Sequence, residues 1–367
     1  MELSHDPDPA RAATLPPRLY TDPAMLALEQ EWVFGRSWQL AARADQLARS
    51  GDQVAVEVAG EPVAIVRDGD ALRGFYNVCR HRAGPVAVGC ARRNTLQCAY
   101  HGWTYSLAGE LIAAPDMDGV EGFRREDWPL SPVRVEGWGP LVLVSLEPRA
   151  PLAEVLAGID TGAGTGTSTD LRWVMRRDYH VACNWKVYVD NYLEGYHIPF
   201  VHPELMRELD YRRYRTEVHH HWSRQHAPLR PVEGDAGERH YRPEQGSDDA
   251  RYYWVFPNLM LNVYQGQLQT NLVEPLGVDA TRVVFDWYAA SPPADPETDP
   301  VWRRLVELSD LLQHQDAAIC AAVQRGLRSR ACRPGRYSAR REAGVHHFHG
   351  LLRDHLRDAP GAFDARD

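Results

Sequence analysis

The chain has 367 residues, 44% of them hydrophobic, which is enough for two domains with real cores. Its net charge of −9 and pI near 6.0 argue against nucleic acid or an anionic membrane surface as partner. No apolar run approaches the roughly 18 to 20 residues needed to cross a bilayer, and the polar start MELSHDPDP lacks the apolar core of a signal peptide, so the expectation is a soluble, cytoplasmic protein.

Residues 19–50 contain TDPAMLALEQEWVFGRSW, which opens on a Thr-Asp-Pro helix start, and 1–50 are expected to form a helical lead-in. From 51 to 150 the runs QVAVEV, PVAIVR, LRGFYNV and LVLVSL, separated by Gly, Pro and Asp turns, predict a small all-β domain. Two loops interrupt it: Cys79-Arg80-His81 and, sixteen residues later, Cys98-Ala99-Tyr100-His101. Two thiolates and two imidazoles are the ligand set of a Rieske 2Fe-2S cluster, both sulfurs on one iron and both histidines on the other. Gly84, Pro85, Gly89 and Gly102 supply turns for close backbone approach. The alternative is a structural zinc site, which would make the chain a zinc-binding module; against it, a C-x-H opening is unusual for zinc knuckles. The remaining cysteines, Cys90, Cys183, Cys320 and Cys332, are too few and scattered for a disulfide framework and read as small hydrophobes or free thiols.

The stretch DTGAGTGTSTD at 160–170 marks a flexible connection inside a linker at 151–170. Beyond it, strand-like runs at 172–182, 252–256, 259–264, 268–275 and 282–289, with helices near 186–198, 301–327 and 344–357, predict an α+β domain over 171–367 built on one antiparallel sheet. In this domain NWKVYVDNYLEGYHIPFVHPEL places Glu194, His197 and His202 within nine positions. Two histidines and one carboxylate on a face of ferrous iron leave positions free for dioxygen. Asp316 is the candidate third ligand, because Leu312, Asp316, Ile319, Val323 and Leu327 fall at helical spacing and a carboxylate on a buried stripe is costly unless paired or metal-bound; Asp310 is expected to be exposed. The polar stretch Pro228–Asp249 reads equally as a lid or a surface insertion. The runs His219–His221 and His346, His347, His349 are not expected to be ligands, since adjacent strand residues face opposite ways. Arginine carries nearly all the positive charge, Lys186 being the only lysine.

The words CRHRAGP, CAYHGWTYSLAGEL, DNYLEGYH-x4-H, QDAAICAAVQRGL and GRYSARREAGVHHFH resemble the large (alpha) subunit of the Rieske non-haem iron oxygenases from about Leu19 to about Leu356. The resemblance implies a Rieske domain and a catalytic domain of helix-grip type, with Cys79, His81, Cys98 and His101 on the cluster and mononuclear Fe2+ on His197, His202 and Asp316. It implies that Glu194, with Asp190 as second choice, links the cluster histidine of one subunit to an iron histidine of the next in a homotrimer. An NAD(P)H-dependent reductase, with or without a ferredoxin, would supply electrons.

The later words VFPNLMLNVYQGQLQTNLVEPLG and FDWY look most like the monooxygenases and demethylases of quaternary ammonium compounds. That likeness implies hydroxylation or oxidative N-demethylation beside a charged nitrogen. An aromatic cage would suit such a cation, and Tyr196, Trp254, Phe256, Tyr264, Trp287 and Tyr288 are available, although alternating strand aromatics read equally as core. Aromatic-acid hydroxylation or O-demethylation is the alternative within the family, and the sequence does not separate monooxygenase from dioxygenase.

Overall fold

The computed structural model describes residues 5–161, 171–230, 249–264 and 266–360. The chain divides into two compact units, Phe34–Leu152 and Met1–Val33 together with Ala153–Asp367. Helices α1 (Arg18–Thr21) and α2 (Pro23–Glu29) belong to the larger unit. Asp22 caps α2 by accepting from the Ala24 N–H, and Pro23 occupies the first turn, where no N–H is needed. The helical lead-in expected over 1–50 is therefore shorter than the sequence suggested. Residues Gln39–Arg43 are β1 of the smaller unit, where β10 (Leu141–Ser145) pairs with them and satisfies their backbone.

The smaller unit continues with β2 (Asp52–Val58), β3 (Glu61–Asp68), β4 (Ala71–Tyr76), β5 (Cys90–Arg92), β6 (Leu96–Gln97), β7 (Thr104–Tyr105), β8 (Leu111–Ala113) and β9 (Pro132–Trp138). An antiparallel sheet runs in the order β1-β10-β9-β4-β3-β2-β5, beside a small ladder β6-β7-β8. Strand β3 explains why its sequence reads as a continuous apolar run. Val63 and Ile65 pack into one core with Val54, Val142 and Val144, while Ala64 and Val66 pack into another with Phe75, Leu96, Trp103 and Tyr105. A strand buried on both faces does not alternate.

One turn, α3 (Leu152–Val155), begins at the boundary between the units in the chain, and the larger unit continues with β11 (Arg172–Val181), α4 (Trp185–Tyr192), α5 (Ile198–Val201) and α6 (Pro203–Glu208). Then come β12 (Arg215–Val218), β13 (Trp222–Pro228), β14 (Asp249–Val255), β15 (Leu259–Tyr264), β16 (Gln267–Gly277) and β17 (Ala280–Ala289), followed by α7 (Pro300–Leu327) and α8 (Ala343–Leu356). The antiparallel sheet has the order β11-β17-β16-β15-β14-β13-β12, and α4 packs against both α7 and β16. Strands β12 and β13 are absent from the sequence expectation because RTEV and WSRQHAP are polar; their ladder with β14 holds them. Residues 162–170 of the expected linker and 231–248 of the expected lid lie outside the described residues.

Helix α7 corrects one detail. Asp316 is half-buried, but the buried side of the helix carries Gln313, Cys320 and Gln324, whereas Ile319 and Val323 are exposed. The stripe is polar because α4 presents polar partners to it: Tyr188 donates to Gln313 Oε1 at 2.6 Å and Asn191 to Asp316 Oδ1 at 2.7 Å. Asp310 is half-buried and accepts from the Tyr179 hydroxyl, so it is not the solvated residue expected.

Candidate metal centres and active-site cleft

The first ligand set occupies two loops of the smaller unit, Cys79–His81 after β4 and Cys98–His101 between β6 and β7. Each loop closes through its own backbone. The Cys79 N–H donates to Gly84 O at 2.8 Å and Ala83 N–H to Cys79 O at 3.0 Å; the Cys98 N–H donates to Trp103 O at 2.9 Å and Gly102 N–H to Cys98 O at 3.0 Å. Both cysteines are buried and both histidines exposed. The His81 and His101 rings meet edge to face with centroids 4.6 Å apart, while Trp103 stacks behind His81 at 5.0 Å and Tyr100 covers His101 at 3.8 Å.

These residues fit a Rieske cluster. A Cβ at Gly84 would lie 2.8 Å from Cys98 Sγ, so only glycine lets the first loop approach the second sulfur. Burial, and then the neighbouring Cys79 thiol, raise the Cys98 pKa; two thiols crowded together in this way suit a metal that takes their protons. The sequence reading missed Tyr105, whose hydroxyl accepts from the Arg80 N–H at 3.0 Å and lies 3.3 Å from Cys79 Sγ. Its only signal was its place in the flank GWTYSLAGEL.

The second set lies where α4 ends. The helix stops at Tyr192, and Gly195 then passes so close to Tyr214 that a Cβ would stand 2.7 Å from that ring. His197 begins α5 and His202 ends it, held out of helical conformation (φ −122°, ψ 70°) ahead of Pro203, as a pre-proline residue must be. This break turns both imidazoles toward α7. The donor atoms of His197, His202 and Asp316 all lie within 4.8 Å of one another, with Asp316 Oδ1 2.9 Å from His202 Nε2 and 3.8 Å from His197 Nε2. Neighbouring ligands about 2.1 Å from one metal ion stand about 3 Å apart, so the set fits a shared ion.

The outer nitrogens are engaged. His197 Nδ1 is 2.7 Å from Glu194 Oε1, and His202 Nδ1 is 2.7 Å from Gln315 Oε1. With each Nδ1–H donating to an oxygen, both Nε2 atoms would be left to hold a metal ion. Burial lowers the His202 pKa, but hydrogen bonds to Asp316 and Gln315 outweigh it and the net direction is upward. Glu194 Oε2 also accepts from the backbone N–H groups of Tyr196 and His197, which fixes the carboxylate. Gln315 and Asn191 were not anticipated; each adjoins a residue that was singled out.

Asp190 sits on another face of α4, one helical turn from Lys186, and both its oxygens are occupied within the chain. Tyr20 donates to Oδ2 at 2.7 Å, and His349 Nε2 lies 2.8 Å from Oδ1, with the Tyr337 hydroxyl 2.6 Å from His349 Nδ1. His349 thus belongs to a buried network. His219 stacks on Trp222 with centroids 3.7 Å apart, and His346 on His5 at 4.1 Å.

Beside the second set opens a cleft of about 760 Å³ including its mouth. Its aromatic lining is Tyr188, Tyr192, Tyr214, Tyr252 and Phe285; its amide lining is Asn191, Gln225, Asn262, Gln269, Asn271 and Gln313; its acids are Glu194 and Asp316. Among the described residues it has no arginine or lysine. The expected cage is elsewhere. Trp254, Phe256, Trp287 and Tyr288 are buried core aromatics, Trp254 packing edge-on to Phe256 and Phe348, and Tyr196 is an exposed turn residue. The side chain of Tyr264 lies outside the described residues.

Two families match the chain in sequence: the Rieske [2Fe-2S] domain over residues 37–124 and the ring hydroxylating alpha subunit (catalytic domain) over residues 168–358. The chloroplastic choline monooxygenase of Arabidopsis thaliana is 37% identical over 361 residues, covering 95% of this chain and 84% of its own. The carnitine monooxygenase oxygenase subunit of Escherichia coli K12 is 32% identical over 373 residues, covering 96% of both. The solved structure of a quaternary ammonium Rieske monooxygenase, studied for carnitine oxidation by gut microbiota and inter-subunit electron transfer, superposes with a TM-score of 0.81 at 28% identity, covering 95% of this chain and 96% of that one. Such proteins hold a Rieske cluster and a mononuclear iron, which excludes the zinc-module reading. The chain belongs to the Rieske non-haem iron oxygenases, as an alpha subunit joining a Rieske [2Fe-2S] domain to a ring-hydroxylating catalytic domain.

Proposed function

We propose that this oxygenase acts on a small quaternary ammonium compound, oxidising a carbon next to the charged nitrogen by hydroxylation or oxidative N-demethylation. One observation carries the reading. The cleft beside His197, His202 and Asp316 offers tyrosine faces and two carboxylates but, among the described residues, no arginine or lysine. A cation is attracted to such a lining, whereas an aromatic acid would bring a carboxylate with no cation to meet it. The relatives named for choline and carnitine support the same class.

In this proposal Cys79, His81, Cys98 and His101 hold the cluster, and His197, His202 and Asp316 hold the iron. When bound, the cluster supplies electrons singly and the iron supplies dioxygen activation. The chain's own residues prepare that site. Glu194 and Gln315 each hold one imidazole in the tautomer that presents Nε2, and Asn191 fixes the orientation of Asp316. Tyr188 and Gln313 wall the cleft, the tyrosine hydroxyl donating to the amide oxygen. Glu194, which already holds an imidazole of the second set, is also the bridge to a neighbouring subunit's cluster histidine in a homotrimer; Asp190 is bound instead to Tyr20 and His349 on another face of α4. Electrons come from a separate reductase, NAD(P)H-dependent, with or without a ferredoxin.

The test is a single turnover. The protein is reduced chemically, the reductant is removed, and dioxygen is admitted with a panel of ammonium compounds and aromatic acids. An aldehyde or formaldehyde from an ammonium compound is expected; a hydroxylated or O-demethylated aromatic instead would overturn the reading.

A further inference from the structure

Helix α4 is 8 residues long and ends at the residues that aim the second ligand set. A helix this short has little stability of its own, so its rotation and its end are set by what it packs on. Asn191 in its last turn donates to Asp316 Oδ1 at 2.7 Å, and Glu194, just past the helix, holds His197 Nδ1. Asp190 directly precedes Asn191 and lies about 100° round the helix from it.

Helix α8 grips α4 at two points. At the first, His349 Nε2 is 2.8 Å from Asp190 Oδ1, while the Tyr20 hydroxyl is 2.7 Å from Oδ2 and 3.1 Å from the same Nε2. A carboxylate only accepts, so Nε2 must carry a hydrogen to stand beside it. The Tyr337 hydroxyl, 2.6 Å from Nδ1, then donates to the other ring nitrogen. Tyr20, Tyr337 and His349 are all buried, and the imidazole is held from both sides. At the second point, a Cβ on Gly344 would stand 2.5 Å from Leu193 O, so only glycine lets the start of α8 close on the residue that caps α4. Asp190 and Leu193 bracket Asn191, and Leu193 is followed directly by Glu194.

We infer that His349 is a positioning residue for the iron site, holding Asp190 so that its neighbour Asn191 meets Asp316. Gly344 fixes the helix end from which Glu194 reaches His197. The inference does not depend on the substrate; it rests on His197, His202 and Asp316 as the iron ligands.

Two measurements on the holoenzyme test it. Chelator competition gives the ferrous iron affinity, and the paramagnetic signal of the ferrous nitric oxide adduct reports the symmetry of the ligand set. His349→Phe should lower the affinity about tenfold, the smaller loss expected when a partner beyond the ligands is removed, and should change the symmetry of that signal while the Rieske spectrum stays the same. His349→Gln returns an N–H toward Asp190 and should restore most of both. In an Asn191→Leu background, His349→Phe should cost less than about twofold more, because the contact it serves is already gone. Where His349→Phe fails to fold, Tyr337→Phe, which removes only the hydroxyl on Nδ1, is read in the same way and should show a smaller loss and the same change of signal. Lowered thermal stability with unchanged affinity and signal, or an equal loss in both backgrounds, overturns the inference. Wild-type iron affinity in His202→Ala would overturn the ligand set, and the inference with it.

Discussion

Asn191 Nδ2 donates to Asp316 Oδ1 at 2.7 Å, joining residues 125 apart in the chain on two helices. The same oxygen faces both imidazoles of the second ligand set. Replacing Asn191 with Leu keeps the volume but releases the carboxylate. Iron affinity is expected to fall about 10- to 100-fold, with the Rieske spectrum unchanged. Competition with a ferrous chelator measures it, and an unchanged iron content under that challenge would contradict the role given to Asn191.

Glu194 holds His197 by its Nδ1 and is itself fixed by two backbone N–H groups. In Glu194→Ala, chemical reduction of the cluster should proceed normally while product per single turnover drops at least about tenfold. Glu194→Gln keeps an acceptor for Nδ1–H but removes the charge, so it should retain iron while transferring electrons poorly. Freeze-quenched spectra of the cluster after mixing with dioxygen separate the two defects.

The Tyr105 hydroxyl lies 3.3 Å from Cys79 Sγ and accepts from the Arg80 N–H; toward a cysteine thiolate on a cluster, which has no proton to give, it is the donor. A hydrogen bond to a cluster sulfur favours the more negative, reduced state. Tyr105→Phe should therefore lower the midpoint potential, which a redox titration reads directly.

The loops around both ligand sets were legible because chemistry forces them. Cys79, His81, Cys98 and His101 sit at fixed spacing, and His197 and His202 flank one short helix before Pro203. The cleft was not legible. Trp254 and Trp287 look like cage residues in the sequence, yet whether a strand aromatic faces a cavity or packs beneath a helix depends on where α4, α7 and α8 cross the sheet. The polar strands β12 and β13 were hidden because their ladder partners, not their own residues, make them strands.

Glu29 and Lys186 form an ion pair at 2.6 Å with both side chains 0% exposed, and Trp185 Nε1 donates to the other carboxylate oxygen at 2.7 Å. Burial raises the Glu29 pKa and lowers that of Lys186, and their mutual attraction opposes both shifts. Lys186→Met leaves a carboxylate buried without its cation and should cost about 3–5 kcal/mol of stability. The double variant with Glu29→Gln should lose less than the single one. Chemical denaturation at neutral pH gives both values.

His347 is held down to about pKa 4, first by burial and then by the neighbouring His220 and His346, with a hydrogen bond to the His219 backbone opposing them. The folded pKa lies below the unfolded value near 6.5, so its contribution to stability is complete above pH 6.5 and is lost as pH falls toward 4. Thermal unfolding should show a midpoint that declines across that window. His347→Gln should flatten the decline, and an unchanged slope would point to other groups.

Lys186 is the one lysine in 367 residues, and its amine is sealed beneath α1 and α4. The native surface therefore presents no side-chain amine to acylating reagents or amine-directed cross-linkers. Such a reagent can label a side-chain amine only when this core opens, so the rate at which Lys186 becomes modified is a built-in clock for unfolding of the catalytic unit, readable by mass at a single residue.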